Sequence, residues 1–324
     1  MSKIFEKGYA VVIGAGADLP VTVKDAEAVA QLLQDITCCG YPKEQVRLLT
    51  EKSADRASIL SALKWLAKVT QEADTVLVYF SGHGIETPDY YLMPYGYDLT
   101  NLSETAISGA IFTDCLRAIK AGKLVVVLDC CHAGGQAEAK GWVKSPLPLS
   151  VIEQLGGSNG RVILASSRKN EVSWTGNPYS VFTASVLEGF SGHGAFEEDG
   201  YARILDITLW AARKVAERTQ DKQHPIIKVC NLADNFPVAW YAGGDKAPHA
   251  LTVLTGSASV QAAPGCNIEV CRRMLKNYRE NLMLIEERMS EFVSFTEIPL
   301  QLIKNKCQVE AKIREIEEKL KTGI

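Results

Sequence analysis

The chain has 324 residues, 47% of them hydrophobic and 23% charged, with a formal net charge of −3 at pH 7. That length allows one large domain or two smaller ones with a substantial core, and the near-neutral balance excludes a general nucleic-acid or membrane-surface binder. No charged-then-apolar leader opens the sequence and no apolar run approaches a membrane span, so a soluble cytoplasmic protein is expected. Nine cysteines include two adjacent pairs, Cys38-Cys39 and Cys130-Cys131, and no Cys-x-x-Cys. That pattern argues against a disulfide framework or structural zinc and fits a reducing compartment.

Tyr9–Ile13 reads as a first buried strand leading into Gly14-Ala-Gly16. A dinucleotide fingerprint would need a third glycine, and Pro20 interrupts the expected helix start, so a tight strand-to-loop turn is the simpler reading. Residues 22–36 carry apolar side chains at helical spacing, with Asp25 near the N-terminal end, where a carboxylate ordinarily complements the helix dipole. A short strand over 46–49 and a helix over 55–69 follow. Thr75–Phe80 is a third strand, uninterrupted by polar residues, and it runs into Ser81-Gly-His-Gly84. Residues 89–98 read as an exposed loop and 109–121 as a helix.

Leu124–Leu128 is five apolar residues in a row, the signature of a strand covered on both faces. It empties into Asp129, Cys130, Cys131 and His132. Residues 136–160 lack periodicity, and a loop of that length inside a compact α/β domain tends to be functional. Arg161–Ala165 resumes the sheet, helices follow at about 179–189 and 204–218, and Phe236–Trp240 is an edge-like strand because it contains a proline. A second Ser-Gly-His-Gly at 191–194 follows a helix rather than a strand, which makes His193 a loop residue. Residues 243–265 have linker composition. From Leu275 to Leu320 apolar residues repeat at 3-4 spacing on either side of Ile298-Pro299, a heptad-like helical hairpin over 266–324.

In open α/β sheets chemistry collects beyond the carboxyl ends of the strands. His83 and Cys131 both follow such ends, 48 positions apart, which leaves room for a loop, a helix and a return strand. An imidazole that draws off a thiol proton is a sufficient nucleophile–base pair. Because a strand alternates its faces, the sulfurs of Cys130 and Cys131 cannot occupy one position.

Tyr79-Phe-Ser-Gly-His-Gly84 and Leu128-Asp-Cys-Cys-His-Ala-Gly134 resemble the two catalytic motifs of the caspase/metacaspase superfamily, closest to bacterial orthocaspases. The resemblance covers residues 5–240. It implies an α/β, caspase-like three-layer fold with a mostly parallel central sheet of about six strands, joined here to the C-terminal helical hairpin. The peptidase domain would span 1–242, with a large-subunit-like half to 138, a candidate cleavage loop at 139–160 and a small-subunit-like half over 161–242. Carried onto this sequence, Cys131 is the nucleophile and His83 the base, and the backbone N–H groups of Cys131 and Gly84 hold the oxyanion. Asp25, Ser81 and Asp129 would line a specificity pocket, and two carboxylates there select Arg or Lys in a protein substrate.

Lys140 and Lys144 match that preference and are candidate self-cleavage sites. No cofactor is expected. The metacaspase pattern offers Asp98, Asp114 and Glu138 toward calcium, but Thr113-Asp114 stands where an adjacent acidic pair is usual, so the oxygen cage is incomplete. The C-terminal hairpin resembles effector-associated adaptors and implies recruitment or self-association in a bacterial signalling or defence pathway. The competing readings are a catalytically silent caspase-fold scaffold and, on Gly14 and Gly16 alone, a nucleotide-binding switch.

Overall fold

A computed structural model describes residues 3–16, 19–87, 89–130, 160–168, 171 and 173–244, with isolated positions between 279 and 317. In chain order the elements are β1 (Gly8–Gly14), α1 (Pro20–Gln34), β2 (Val46–Thr50), α2 (Arg56–Val69), β3 (Thr75–Ser81), β4 (His83–Thr87), β5 (Asp89–Met93), α3 (Leu102–Thr105), β6 (Ile107–Ser108) and α4 (Gly109–Arg117). They continue with β7 (Lys123–Asp129), β8 (Arg161–Ala165), α5 (Val181–Phe190), β9 (Tyr201–Arg203), α6 (Ile204–Arg218), β10 (Ile226–Cys230) and β11 (Pro237–Trp240).

The main sheet has six strands in the order β10-β8-β7-β3-β1-β2. All neighbours are parallel except β10, which runs antiparallel to β8. Parallel sheets need cover on both faces, and the strand alternation supplies it. Val12, Tyr79, Val127 and Leu164 join one core with the buried sides of α1, α5 and α6. Val11, Val78, Val126 and Ile163 join another with Leu63 and Leu66 of α2 and Phe112 and Leu116 of α4. The unbroken apolar run of β7 is thus two interleaved core stripes, worth roughly 10 kcal/mol of gross burial before conformational entropy is set against it.

Several boundaries differ from the sequence expectation. Pro20 does not obstruct α1 but opens it, standing at the first helical position where a missing N–H is harmless. The helix α4 stops at Arg117, four residues short of the periodic pattern, with Ala118 as its cap. Residues 89–93 are not loop but β5, which pairs with β4 and β6 and buries Tyr90, Leu92 and Met93. The sixth strand of the main sheet is β10, whose half-exposed Ile-Ile-Lys-Val-Cys pattern gives no clean alternation. Residues 237–240 instead pair with β9 in a separate two-stranded sheet.

Gly14, at the end of β1, is a packing residue. A Cβ there would lie 2.4 Å from the Thr22 carbonyl oxygen and 2.8 Å from the Ala26 Cβ. The bare backbone lets α1 press against the strand end, which brings Asp25, the neighbour of Ala26, to the edge of the sheet. Gly14→Ala is expected to destabilise the domain by about 2 kcal/mol through overpacking, seen as a lower midpoint in urea unfolding; an unchanged midpoint would show that α1 can shift freely.

The chain divides into two compact units, Met1–Ala258 and Ser259–Ile324. In the second, the described residues Arg279, Leu282, Lys306, Glu310, Ile313, Arg314 and Glu317 are helical. Arg279 Nη2 meets Glu317 Oε1 at 2.7 Å, and Ile313 is buried. Among the described residues, no helix is long and apolar enough to cross a membrane.

Candidate active site

Strands β1, β3 and β7 end in one row. Gly14 is the register partner of Ser81, and Ser81 of Asp129. The chain runs from β1 to β2 on one side and then crosses to β3 on the other, so this row flanks the point where the strand order reverses, the usual place for a ligand crevice. Ser81 and Asp129 share the face of Tyr79 and Val127, toward α1 and α5.

His83 follows two residues later. Its approach is fixed by backbone bonds from Gly82 N–H to the Asp129 carbonyl (3.1 Å) and from Ala15 N–H to the Ser81 carbonyl (2.9 Å). A Cβ on Gly82 would lie 2.9 Å from the Phe80 ring and 3.0 Å from Ala15 Cβ, so a larger residue at this turn would have to displace one of them. His83 then opens β4 opposite Met93, is buried, and is followed by Gly84 opposite Leu92.

The other partner of the expected pair, Cys131, lies outside the described residues, as do Lys140, Lys144 and Glu138. Cys130 is described, and it is buried in the core that α2 and α4 form with Leu128 and Ala165. Its sulfur is committed to the face opposite Ser81 and Asp129.

Asp25, Ser81 and Asp129 come together as one fully buried group. Asp25 Oδ2 accepts the Ser81 hydroxyl at 3.2 Å, and its Oδ1 accepts the Ser180 backbone N–H at 2.9 Å. Asp129 accepts three hydroxyls: Ser173 on Oδ1 at 3.1 Å, and Ser180 and Thr183 on Oδ2, the latter at 3.1 Å. Tyr79 OH stands 2.6 Å from Thr183 Oγ1 and completes the chain of donors. Burial, and then the nearby charge of Asp129, push the Asp25 carboxyl well above its ordinary value, against the two hydrogen bonds that favour its ionised form. A cation entering between the two acids would relieve both effects.

Sequence reasoning missed the hydroxyl shell. Ser180 bridges the two acids, donating its N–H to Asp25 and its O–H to Asp129, while its Oγ accepts the Thr183 N–H and so caps α5. Gln223 holds the neighbouring strap, donating to Ser173 Oγ (3.2 Å) and to the Ser166 carbonyl (2.8 Å) and accepting from Trp174 N–H (2.9 Å). The cap at Ser180 was the only local signal, a serine just before an apolar helix.

Two of the three calcium candidates, Asp98 and Asp114, are among the described residues. Asp98 is exposed and its carboxylate accepts the Thr100 N–H and hydroxyl. Asp114 lies on the exposed side of α4, 3.7 Å from Arg117. Among the described residues there is no group of three or more His, Cys, Asp or Glu side chains able to hold a metal ion. His193 is remote from this chemistry, stacked on Trp210 with ring centroids 5.5 Å apart.

The sequence model of the caspase domain, peptidase family C14, matches residues 7–237. The chain belongs to the caspase-domain family. The matched range runs from β1 to the start of β11 and contains His83, Cys131 and both buried acids. Among curated proteins the chain is similar to Metacaspase-1 of Cryptococcus neoformans var. neoformans, 30% identical over 250 residues, covering 65% of this chain and 50% of that protein. It is also similar to Metacaspase-1A of Aspergillus clavatus, 24% identical over 207 residues, covering 57% of this chain and 46% of that one. The chain spans about half the length of the curated relatives it matches. A crystallised protein from Geobacter sulfurreducens shares the fold at a TM-score of 0.50 and 16% identity, over 72% of this chain and 99% of its own. For this caspase domain the sheet order, with one antiparallel edge strand, and the placement of His83 at the carboxyl edge follow from the strand ends described above.

Proposed function

We propose that the chain is a cysteine endopeptidase that cuts after Arg or Lys. His83 takes the Cys131 thiol proton, and the thiolate attacks the scissile carbonyl carbon. The N–H groups of Cys131 and Gly84 stabilise the tetrahedral oxyanion. His83 then returns its proton to the leaving amine, and water, deprotonated by the same imidazole, hydrolyses the thioester. The observation that carries the specificity is the pair of buried carboxylates, Asp25 and Asp129, one strand row from His83. A guanidinium or ammonium neutralises both, whereas an acidic side chain would add a third negative charge to a desolvated pocket.

The test is turnover of Arg-, Lys- and Asp-ended peptides by the full chain. Arg and Lys peptides are expected to be cleaved at least about 100-fold faster in kcat/KM, a difference of roughly 2.7 kcal/mol at the transition state. A pH signature accompanies it. A cationic side chain binds the ionised form of Asp25, whose proton is held at raised pH. KM for an Arg peptide should therefore fall as pH rises through that value, while KM for an uncharged analogue stays flat. Preference for Asp-ended peptides would sink the pocket assignment without touching the Cys–His chemistry.

A further inference from the structure

One hydroxyl beside the acids stands outside their network. Ser166 follows β8 and is 1% exposed, and its Oγ is buried without a hydrogen-bond partner. Its backbone N–H donates to the Leu128 carbonyl at 2.9 Å, one step beyond the last register pair of β7 and β8, Leu128 with Ala165. Ser166 therefore stands next to Asp129 in the row of strand ends, at a strand separation of about 4.8 Å. Leu128 and Ala165 face α2 and α4, whereas Val127 and Leu164 face α1 and α5. Alternation thus turns Ser166 to the side of Asp129 and Asp25. Gln223 Nε2 holds its carbonyl at 2.8 Å and leaves its hydroxyl unused.

A buried polar atom without a partner carries a desolvation penalty that folding does not recover. The hydroxyls of Ser81, Ser173, Ser180 and Thr183 all escape it by donating to a carboxylate. The acceptor positions that remain can be counted, since a carboxylate offers about four. On Asp129, Ser180 and Thr183 fill Oδ2, and Oδ1 has room beside Ser173 for one more donor. Asp25, in the ionised form that a cation binds, takes one donor on each oxygen and has room for another on each. Those openings match the three donors of an ammonium. A guanidinium brings five, and each N–H left buried without an acceptor is penalised.

Resting on the reading of Asp25 and Asp129 as the pocket for a basic side chain, we propose that Ser166 is a specificity-determining residue that accepts a guanidinium N–H and so favours arginine over lysine. Ser81 Oγ, whose proton goes to Asp25, presents the other neutral acceptor. The rigid fork of a guanidinium reaches acceptors on separate strands at once, whereas an ammonium already satisfied by carboxylates gains little from Ser166.

Turnover of Arg- and Lys-ended peptides by the full chain and by Ser166→Ala tests this. The parent is expected to favour Arg by about tenfold or more in kcat/KM, and the variant to lose about tenfold on Arg while staying within about threefold on Lys. Because the hydroxyl has no partner to lose, Tm of Ser166→Ala should equal or exceed that of the parent. Ser167, also buried and unpaired, lies one residue past the bond to Leu128, and Ser167→Ala should leave the Arg-to-Lys ratio unchanged. A parent that prefers Lys, an unaltered ratio or a lower Tm in Ser166→Ala, or a ratio that moves in Ser167→Ala instead would each overturn the role of Ser166 while the preference for basic over acidic peptides stands. A parent that prefers Asp-ended peptides would overturn the pocket itself, and this proposal with it.

Discussion

Cys131→Ala is expected to lower kcat/KM for an Arg-ended peptide by about 10,000-fold or more, while Cys130→Ala keeps turnover within about threefold. The two neighbours are chemically identical, so the prediction rests on the placement of Cys130 and on the family motif, which puts Cys131 at the nucleophile position. Cys130 is buried in the core on the α2 and α4 side of the sheet, the face opposite the side chains of Ser81 and Asp129. Its replacement should instead appear as a loss of about 1 kcal/mol in stability, the usual scale for deleting a small buried group. Steady-state kinetics and denaturant unfolding on both variants separate the two roles. Turnover that survives in Cys131→Ala and disappears in Cys130→Ala would reassign the nucleophile.

The second large effect concerns the acids, which should respond to substitution with opposite signs in stability. Asp129→Ala leaves the hydroxyls of Ser173, Ser180 and Thr183 without their shared acceptor. Orphaned buried donors are penalised individually, so a loss of about 3 kcal/mol or more is expected, together with at least a hundredfold fall in kcat/KM for Arg peptides. Asp25→Asn differs. Its carboxyl has a raised pKa in the folded chain, so the folded state holds that proton more tightly than the unfolded one. The stabilising contribution is full below the unfolded value, near pH 4, and is lost as pH rises through the folded value. The amide carries no such penalty and can still accept the Ser180 N–H and donate to Ser81. Asp25→Asn is therefore expected to raise Tm at pH 8 and not at pH 4, by about 2–4 °C for each kcal/mol relieved, while Arg-peptide turnover falls. A lower Tm at pH 8 would mean that Asp25 is a net structural asset and not an acid held ready for a ligand.

The parts of this molecule that were legible in sequence are those whose signal is local. β3 and β7 announce themselves as unbroken apolar runs, and the polar residues at their tips could be read as site residues because a buried strand has to stop somewhere. Asp25 was different: on its own helix it looked like a dipole-complementing carboxylate, and only the family resemblance suggested a pocket. What its position needs is Gly14, which the sequence presents as half of a failed nucleotide motif and which serves as a point of close helix approach. The hydroxyl shell was invisible for a plainer reason. Ser180 reaches Asp25 across 155 residues and Asp129 across 51, and serines scattered through a loop have no periodicity to betray such meetings. β10 was passed over because an edge strand with Lys228 and an exposed Val229 lacks a buried face on which alternation can register.

Ser180 has one more consequence. Asp25 and Asp129 precede residues 131–159, whereas Ser173, Ser180, Thr183 and Gln223 follow them, and β7 and β8 pair directly across the same division through five register partners, Leu124 to Leu128 with Arg161 to Ala165. The domain is in this sense already a two-fragment complementation system stitched by a noncovalent seam. A cut at Lys140 or Lys144 would sever the polypeptide without removing any of these bonds. Neither fragment owns the acid cluster, because one brings the charges and Ser81 and the other brings the remaining donors that keep them buried. Covalent continuity between the halves is not what holds the acid cluster together.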